Sequence, residues 1–283
     1  MLIDPKRDVL GQIPSICEHI LAGAGGLFMP ELVETLLSIS GHEYVWLDLV
    51  YDDILAVMPK NIHALDVELS LDEMVVLTEV FAHIIDFRSP FTARHSVGVA
   101  AVAAKLAELM GFSANECKMM LAAGHLHDLG KLAVPNEILE KADKLNPEEF
   151  NQMRSHTYFT YRTLQMIKGF ETINIWASLH HERLNGKGYP FHLSGESIPL
   201  GSRVMAVADV FTAITEDRPY RKGMEEDAVL RVIRSMVKNE SLCPKAAHVL
   251  QENLDVLSRV RLMAQTRADR KYQLVRNMES AVR

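Results

Sequence analysis

Gly124-His125-Leu126-His127-Asp128-Leu129-Gly130-Lys131 is the stretch around which the rest of the chain reads as organised. His127 and Asp128 stand side by side on the last turn of an apolar helix that runs into Gly130. A neutral imidazole nitrogen and two anionic carboxylate oxygens together suit a divalent transition metal. Alone, the pair fits equally well two polar residues closing a helix, so the metal reading depends on what joins it. Around it nearly everything is helical: apolar residues recur at three- and four-residue spacing, and strand-like alternation is scarce.

Upstream, residues 7–21 read as an amphipathic helix with Pro14 as a kink. The glycine-rich stretch 22–26 is a linker turn; neither GKS nor GKT follows it, so it is no phosphate loop. Pro30 opens a helix ending at Gly41, and 43–58 form another, stopped by Pro59. His19 and His42 lack ligand neighbours and are assigned structural roles. After a connector over 59–69, Ser70 and Glu73 have capping-box spacing and start a helix to about Phe87. Its His83 is assigned to packing. Ser89-Pro90 breaks it. A helix over roughly 91–110 follows, with His95 one turn before Val99 in the stripe Val99, Val102, Leu106.

Ser113 and Glu116 repeat the capping box and start the helix that delivers His127 and Asp128. Asn146-Pro147-Glu148-Glu149 opens a helix that carries His156 and ends by Gly169. A helix over 171–182 holds His180 and His181, with Glu182 placed to orient them. The loop 185–190 contains Lys187 and Tyr189, and its glycines permit close approach of a ligand. On the helix near 200–215, Asp209 lies within an apolar run, where an unpaired carboxylate is costly. A metal explains it, and so does a buried arginine. Arg218-Pro219-Tyr220-Arg221-Lys222 reads as a phosphate clamp or a solvated turn. Helices over 224–238 and about 244–280 finish the chain, the last packing on the domain or on a second subunit.

The chain has 283 residues, 48% of them hydrophobic, and a formal net charge of −7. That charge excludes bulk electrostatic binding to DNA or RNA, so an anionic substrate needs local positive charge. Cys17, Cys117 and Cys243 form no CxxC pair, consistent with reduced thiols in the cytoplasm. The sequence shows no signal-peptide pattern and no apolar run near the length of a membrane span.

His95, His127, Asp128, His156, His180, His181 and Asp209 therefore offer N and O ligands and no cysteine. Such a set suits two ions such as iron or manganese better than one structural zinc, with Asp128 as the bridge. Two ions suit hydrolysis of a phosphate ester.

The ordered pieces Arg94-His95-Ser96, His127 to Lys131, His156, His180-His181-Glu182, Gly188-Tyr189-Pro190, Val207 to Phe211 and Arg218 to Arg221 resemble the HD-GYP family of HD metal-dependent phosphohydrolases. The resemblance implies an all-α, HD-type helical bundle over 70–283, preceded by a helical segment over 1–69 that reads as regulatory. It implies hydrolysis of a cyclic dinucleotide, chiefly cyclic di-GMP, to the linear dinucleotide or mononucleotides. The alternatives are the same chemistry on 3′3′-cyclic GMP-AMP, or a receptor that binds without turnover.

Carried over residue by residue, His95, His127, Asp128 and Asp209 hold one ion, and Asp128, His156, His180 and His181 the second. The metal is iron or manganese, with nickel, cobalt or zinc also within reach. Asp128 and Lys131 serve catalysis, Lys131 near the scissile phosphate. Tyr189, Lys187, Arg218 and Arg221 contact the ligand. Two departures stand out. Asn185 replaces the aspartate common in that loop. Phe91 stands where some members have a carboxylate for a third ion, so two ions are expected here. Protein contacts are expected with a second copy of the chain or a signalling partner, and none with DNA or membrane.

Overall fold

The computed structural model describes residues 2–4, 7–50, 68–87, 94–141, 143–217 and 222–282. Among these there are helices and no strand; two isolated bridges, Ala24–Phe28 and Asn185–Ser194, are the extended pairings. This agrees with the all-α expectation.

The middle of the bundle is α5 (His95–Leu109), numbering α1 (Ile13–Ala22), α2 (Pro30–Ile39), α3 (Glu43–Val50) and α4 (Leu71–Phe87) before it. Its sequence is rich in alanine, and Ala100, Ala103 and Ala107 are fully buried. Small side chains let neighbours approach from several sides. α4, α6 (Ala114–Leu126), α11 (Leu200–Thr215), α13 (Pro244–Glu252) and α14 (Leu254–Val282) all pack on it. At the tightest crossing, a Cβ on Gly124 would lie 2.4 Å from Ala100 Cα, so glycine is required there. Val99, Val102 and Leu106, the stripe read from the sequence, are fully buried in the main core. Truncating such a leucine to alanine costs about 2–5 kcal/mol.

The remaining helices are α7 (Asn136–Leu139), α8 (Pro147–Arg154), α9 (His156–Leu164), α10 (Glu171–Ser178) and α12 (Glu226–Lys238). The capping boxes of Ser113 with Glu116 and of Asn146 with Glu149 are both closed, and Ser70 and Glu73 exchange the same bonds. A second, smaller core joins Val9, Leu10, Ile16, Trp46 and Leu47 to Tyr158 of α9, which places the N-terminal segment directly against α9.

Several boundaries differ from the sequence reading. Pro14 does not kink the first helix; it lies in the first turn of α1, where no intrahelical donor is needed, after a 3₁₀ turn over Leu10–Gln12. The stretch 146–169 is two helices, because Ser155, His156 and Thr157 each direct a side chain at the carbonyl three residues back. Those bonds compete with the helix ladder. The helix expected over 171–182 stops at Ser178. The last helix divides at Asn253, whose side-chain amide donates to the Val249 carbonyl. α5 starts at His95 rather than 91. Residues 51–67, with the end of the 43–58 helix and most of the connector, lie outside the described residues. The cysteines are free, and no helix among the described residues is long and apolar enough to cross a membrane.

Candidate metal centre

Each metal-ligand candidate sits at the end or on the inner face of an element. His95 is the first residue of α5, and Asp86 of α4 secures that start by accepting from the Ser96 N–H at 3.1 Å and the Ser96 hydroxyl at 2.7 Å. His127 caps α6, and Asp128 leads into the 3₁₀ turn Leu129–Ala133. Thr160 ties that turn to α9, accepting from Gly130 N–H at 2.9 Å and donating to the His127 carbonyl at 3.1 Å. Gly130 presses on α9 so closely that a Cβ would lie 1.9 Å from the His156 carbonyl oxygen. His156 opens α9, His180 and His181 follow α10, and Asp209 comes from α11.

These side chains converge. Ligand atoms of His95, His127 and Asp209 form one group, those of His156, His180 and His181 a second, and those of His127, Asp128 and His180 a third, each within 4.8 Å. Asp128 lies between the first two: Oδ2 is 3.3 Å from His127 Nε2 and Oδ1 is 3.4 Å from His156 Nε2. His95 Nε2 is 3.2 Å from Asp209 Oδ1, and His181 Nδ1 is 4.0 Å from Asp209 Oδ2.

The ring nitrogens facing away define the tautomers. His127, His156 and His180 direct Nδ1 at the carbonyls of Gly124, Met153 and Ala177, at 2.8, 2.7 and 2.6 Å. A carbonyl only accepts, so each Nδ1 carries the proton and each Nε2 of a neutral ring presents a lone pair. Two of these, on His156 and His180, face each other at 3.4 Å, and His127 Nε2 is buried without a hydrogen-bond partner among the described residues. A buried box of lone pairs and carboxylates fits divalent cations held by N and O ligands.

For His156, His180, His181 and the two aspartates the electrostatics agree. Burial pushes His156 down to about 3 and His181 to about 4, and holds His180 well below its ordinary value. Burial would raise the carboxyls of Asp128 and Asp209, but the surrounding histidines, with Lys131 beside Asp128, hold both well below the usual range. Burial would lower His95, but Glu216 and Asp209 outweigh it and raise it to about 10.

Residues 79–245 match the HD domain family. The chain belongs to that family. Its sequence is 35% identical over 255 residues to the 3′3′-cGAMP-specific phosphodiesterase 1 of Vibrio cholerae, a match covering 87% of this chain and 59% of the relative. It is 39% identical over 151 residues to the cyclic di-GMP phosphodiesterase response regulator RpfG of Xanthomonas campestris, covering 53% of this chain and 40% of that one. The HDG"Y"P protein Bd1817 of Bdellovibrio bacteriovorus shares the fold, with a TM-score of 0.50 at 17% identity, over 66% of this chain and 65% of that one. The chain thus spans about three-fifths or less of the length of these curated relatives.

Around the HD-domain centre, Lys131 Nζ lies 2.6 Å from Asp128 Oδ2, so it is ion-paired with the central aspartate. Burial would lower Lys131, but Asp128 outweighs it and raises it. The Tyr189 ring stacks obliquely on His181 with centroids 4.9 Å apart, and burial raises its phenol. Lys187 is exposed on the same loop. Phe91, Arg218 and Arg221 lie outside the described residues. Glu182 does not orient the adjacent histidines; its carboxylate accepts from Phe191 N–H at 2.8 Å and Leu193 N–H at 3.0 Å and so shapes the loop. Asn185 suits its position: its amide donates to the Asn239 carbonyl at 2.8 Å, which a carboxylate could not do. His42 is structural, its Nδ1–H donating to the Phe191 carbonyl at 3.0 Å.

Sequence reading missed Asp86 and Glu216. Asp86 carried the signal used for Asp209, an acid in an apolar helical run. Glu216 carried none, because its partners lie 121 and 49 residues away.

Proposed function

We propose that this chain is a metal-dependent phosphodiesterase that hydrolyses a cyclic dinucleotide, with 3′3′-cyclic GMP-AMP favoured over cyclic di-GMP. The observation that carries the first part is the inward set of imidazole Nε2 atoms, fixed by Nδ1–H bonds to carbonyls, around Asp128 and Asp209. His95, His127, Asp128 and Asp209 would hold one ion, and Asp128, His156, His180 and His181 the other. Bound divalent ions supply Lewis-acid polarisation of a phosphoryl oxygen and a more acidic water.

The chain's own groups do the rest. Asp128 is common to both ligand sets because its two oxygens face different histidines. Lys131 brings a cation to the rim of an acidic protein, where a phosphodiester needs one, and it screens Asp128 from that phosphate. Tyr189 presents a ring and a protonated hydroxyl beside His181, suited to stack on a base or donate to a phosphate. Lys187, Arg218 and Arg221 would contact the ligand from the loops around it.

The preference between substrates rests on relatives. The cGAMP-specific enzyme aligns with 87% of this chain, a share that takes in at least part of the N-terminal segment, whereas RpfG aligns with 53%. The N-terminal residues touch the Tyr189 loop, where His42 meets the Phe191 carbonyl and Glu43 meets His192, and so bear on what it admits. The test incubates purified chain, loaded with Fe(II) or Mn(II), with each dinucleotide and follows linear products by chromatography. Faster turnover of cyclic GMP-AMP is expected. Equal or faster turnover of cyclic di-GMP overturns the preference. Tight binding without turnover under either metal leaves a receptor and overturns the enzymatic reading.

A further inference from the structure

Three of the four buried histidines at the centre fix their tautomer with a carbonyl three residues earlier; His95 does it differently. It begins α5, and its Nδ1 lies 3.2 Å from Oε1 of Glu216, at the C-terminal end of α11. Glu216 is 5% exposed. Its Oε2 accepts from Gln265 Nε2 at 3.3 Å, and Gln265 Oε1 accepts from an Arg261 terminal N–H at 2.8 Å. Gln265 and Arg261 belong to α14 and are 6% and 7% exposed. A Cβ on Gly98 would lie 2.8 Å from Gln265 Nε2, so that glycine makes room for the chain of bonds.

We propose that Glu216 is a positioning residue for the ion held by His95, and that Gln265 and Arg261 make the last helix part of the metal centre. The proposal rests on reading His95 as a ligand. Sequestering a carboxylate and a guanidinium from water is costly unless they are bonded to one another's network, and here that network reaches His95 Nδ1 through Glu216, with a branch from Gln265 Nε2 to the Arg94 carbonyl at 3.4 Å. A carboxylate behind a ligating histidine fixes the ring and raises its basicity more than a neutral carbonyl does. The two ion positions are therefore inequivalent. His95 is backed by a charge, while His127, His156 and His180 are backed by backbone carbonyls. Arg261 and Gln265 lie beyond residues 79–245, so the working unit extends past the segment that matches the family.

The experiment measures Mn(II) binding by equilibrium dialysis with elemental analysis for the wild type, Glu216→Ala, Glu216→Gln and Gln265→Ala, each checked for folding by thermal melting. The wild type takes up two ions. Glu216→Ala weakens one of them by about 10- to 100-fold and leaves the other unchanged. Glu216→Gln keeps an oxygen acceptor without the charge and weakens the same ion less; Gln265→Ala does so as well. A role confined to stability would lower the melting temperature and affect both ions alike, and that result overturns the proposal. So does unchanged affinity in Glu216→Ala. If Glu216→Ala does not fold, the other two variants decide by the same criterion. A wild type that binds no ion overturns the metal reading itself, which distinguishes the two failures.

Discussion

Replacing Glu43 by alanine tests whether the N-terminal segment clamps the loop that carries Tyr189. Glu43, on α3, has its side chain 4% exposed, and its two oxygens meet Arg154 Nη1 and His192 Nε2. Arg154 ends α8, two residues before His156. His192 has φ of 56°, a left-handed conformation disfavoured without glycine, and lies between the two amides that Glu182 holds. Removing one partner of a fully buried ion pair costs about 3–5 kcal/mol. The Arg154 side chain keeps 24% exposure, so water reaches it in part and screens the loss. The expected cost is about 2–3 kcal/mol, read as a shift in urea midpoint at unchanged slope. The loop should respond locally as well: the amides of Phe191 and Leu193 exchange hydrogen faster, while those in the middle of α5 do not. Glu43→Gln, which keeps the volume and loses the charge, falls between. A loss below about 0.5 kcal/mol, with unchanged exchange at both amides, would refute the clamp.

Asp128→Ala removes the group shared by both ligand sets, so bound metal and turnover disappear together; elemental analysis that still finds two ions means the bridge is misassigned. Gly130→Ala drives a Cβ into the His156 carbonyl, a backbone group with no flexible side chain to yield. A destabilisation at or above the usual overpacking cost of about 1–3 kcal/mol is expected, with weakened metal binding, and a wild-type melting curve would contradict it. Burial pushes the Asp86 carboxyl up to about 7, against the bonds from Ser96. The folded chain then keeps a proton that the unfolded chain releases near pH 4, so stability falls as pH rises from about 4 to about 7. Asp86→Asn flattens that fall, and denaturation midpoints at about pH 5 and about pH 8 check it; an identical pH dependence in both proteins goes against the assignment.

How much of this was legible in the sequence depended on the distance over which the deciding interaction acts. The capping boxes at Ser70, Ser113 and Asn146 are satisfied within three residues, so spacing alone located three helix starts. The stripe Val99, Val102, Leu106 faces the core because one face of a helix repeats every turn. The seven metal-ligand candidates could be named by chemistry and order, but their convergence required the fold. Glu216 was invisible because it meets His95 only when α11 packs on α5, and the Gln265–Arg261 pair because it joins them only after α14 folds back on α5. Glu182 was misread for a related reason: adjacency to two histidines suggested that it served them, while its oxygens are taken by amides nine and eleven residues ahead.

Three helix ends, two of them missed in the sequence, share one cause with the site. His127 follows the end of α6, His156 follows the end of α8, and His180 stands two residues past α10. In each case the ring Nδ1–H bonds the carbonyl three residues back, the acceptor that the next helical turn would use. A side chain bonded there competes with the ladder and favours termination. The same bond forces the proton onto Nδ1 and leaves Nε2 as a donor atom pointing inward. Helix termination and ligand preparation are thus one interaction, repeated three times. It requires histidine rather than another polar residue, because only imidazole has a second nitrogen to offer opposite the first. Replacing any of the three by asparagine can preserve the carbonyl bond and the helix end while removing the inward lone pair. His156→Asn should therefore melt close to the wild type yet lose the ion that His156 would hold; a variant that retains that ion at wild-type affinity would show that the ring does not reach it.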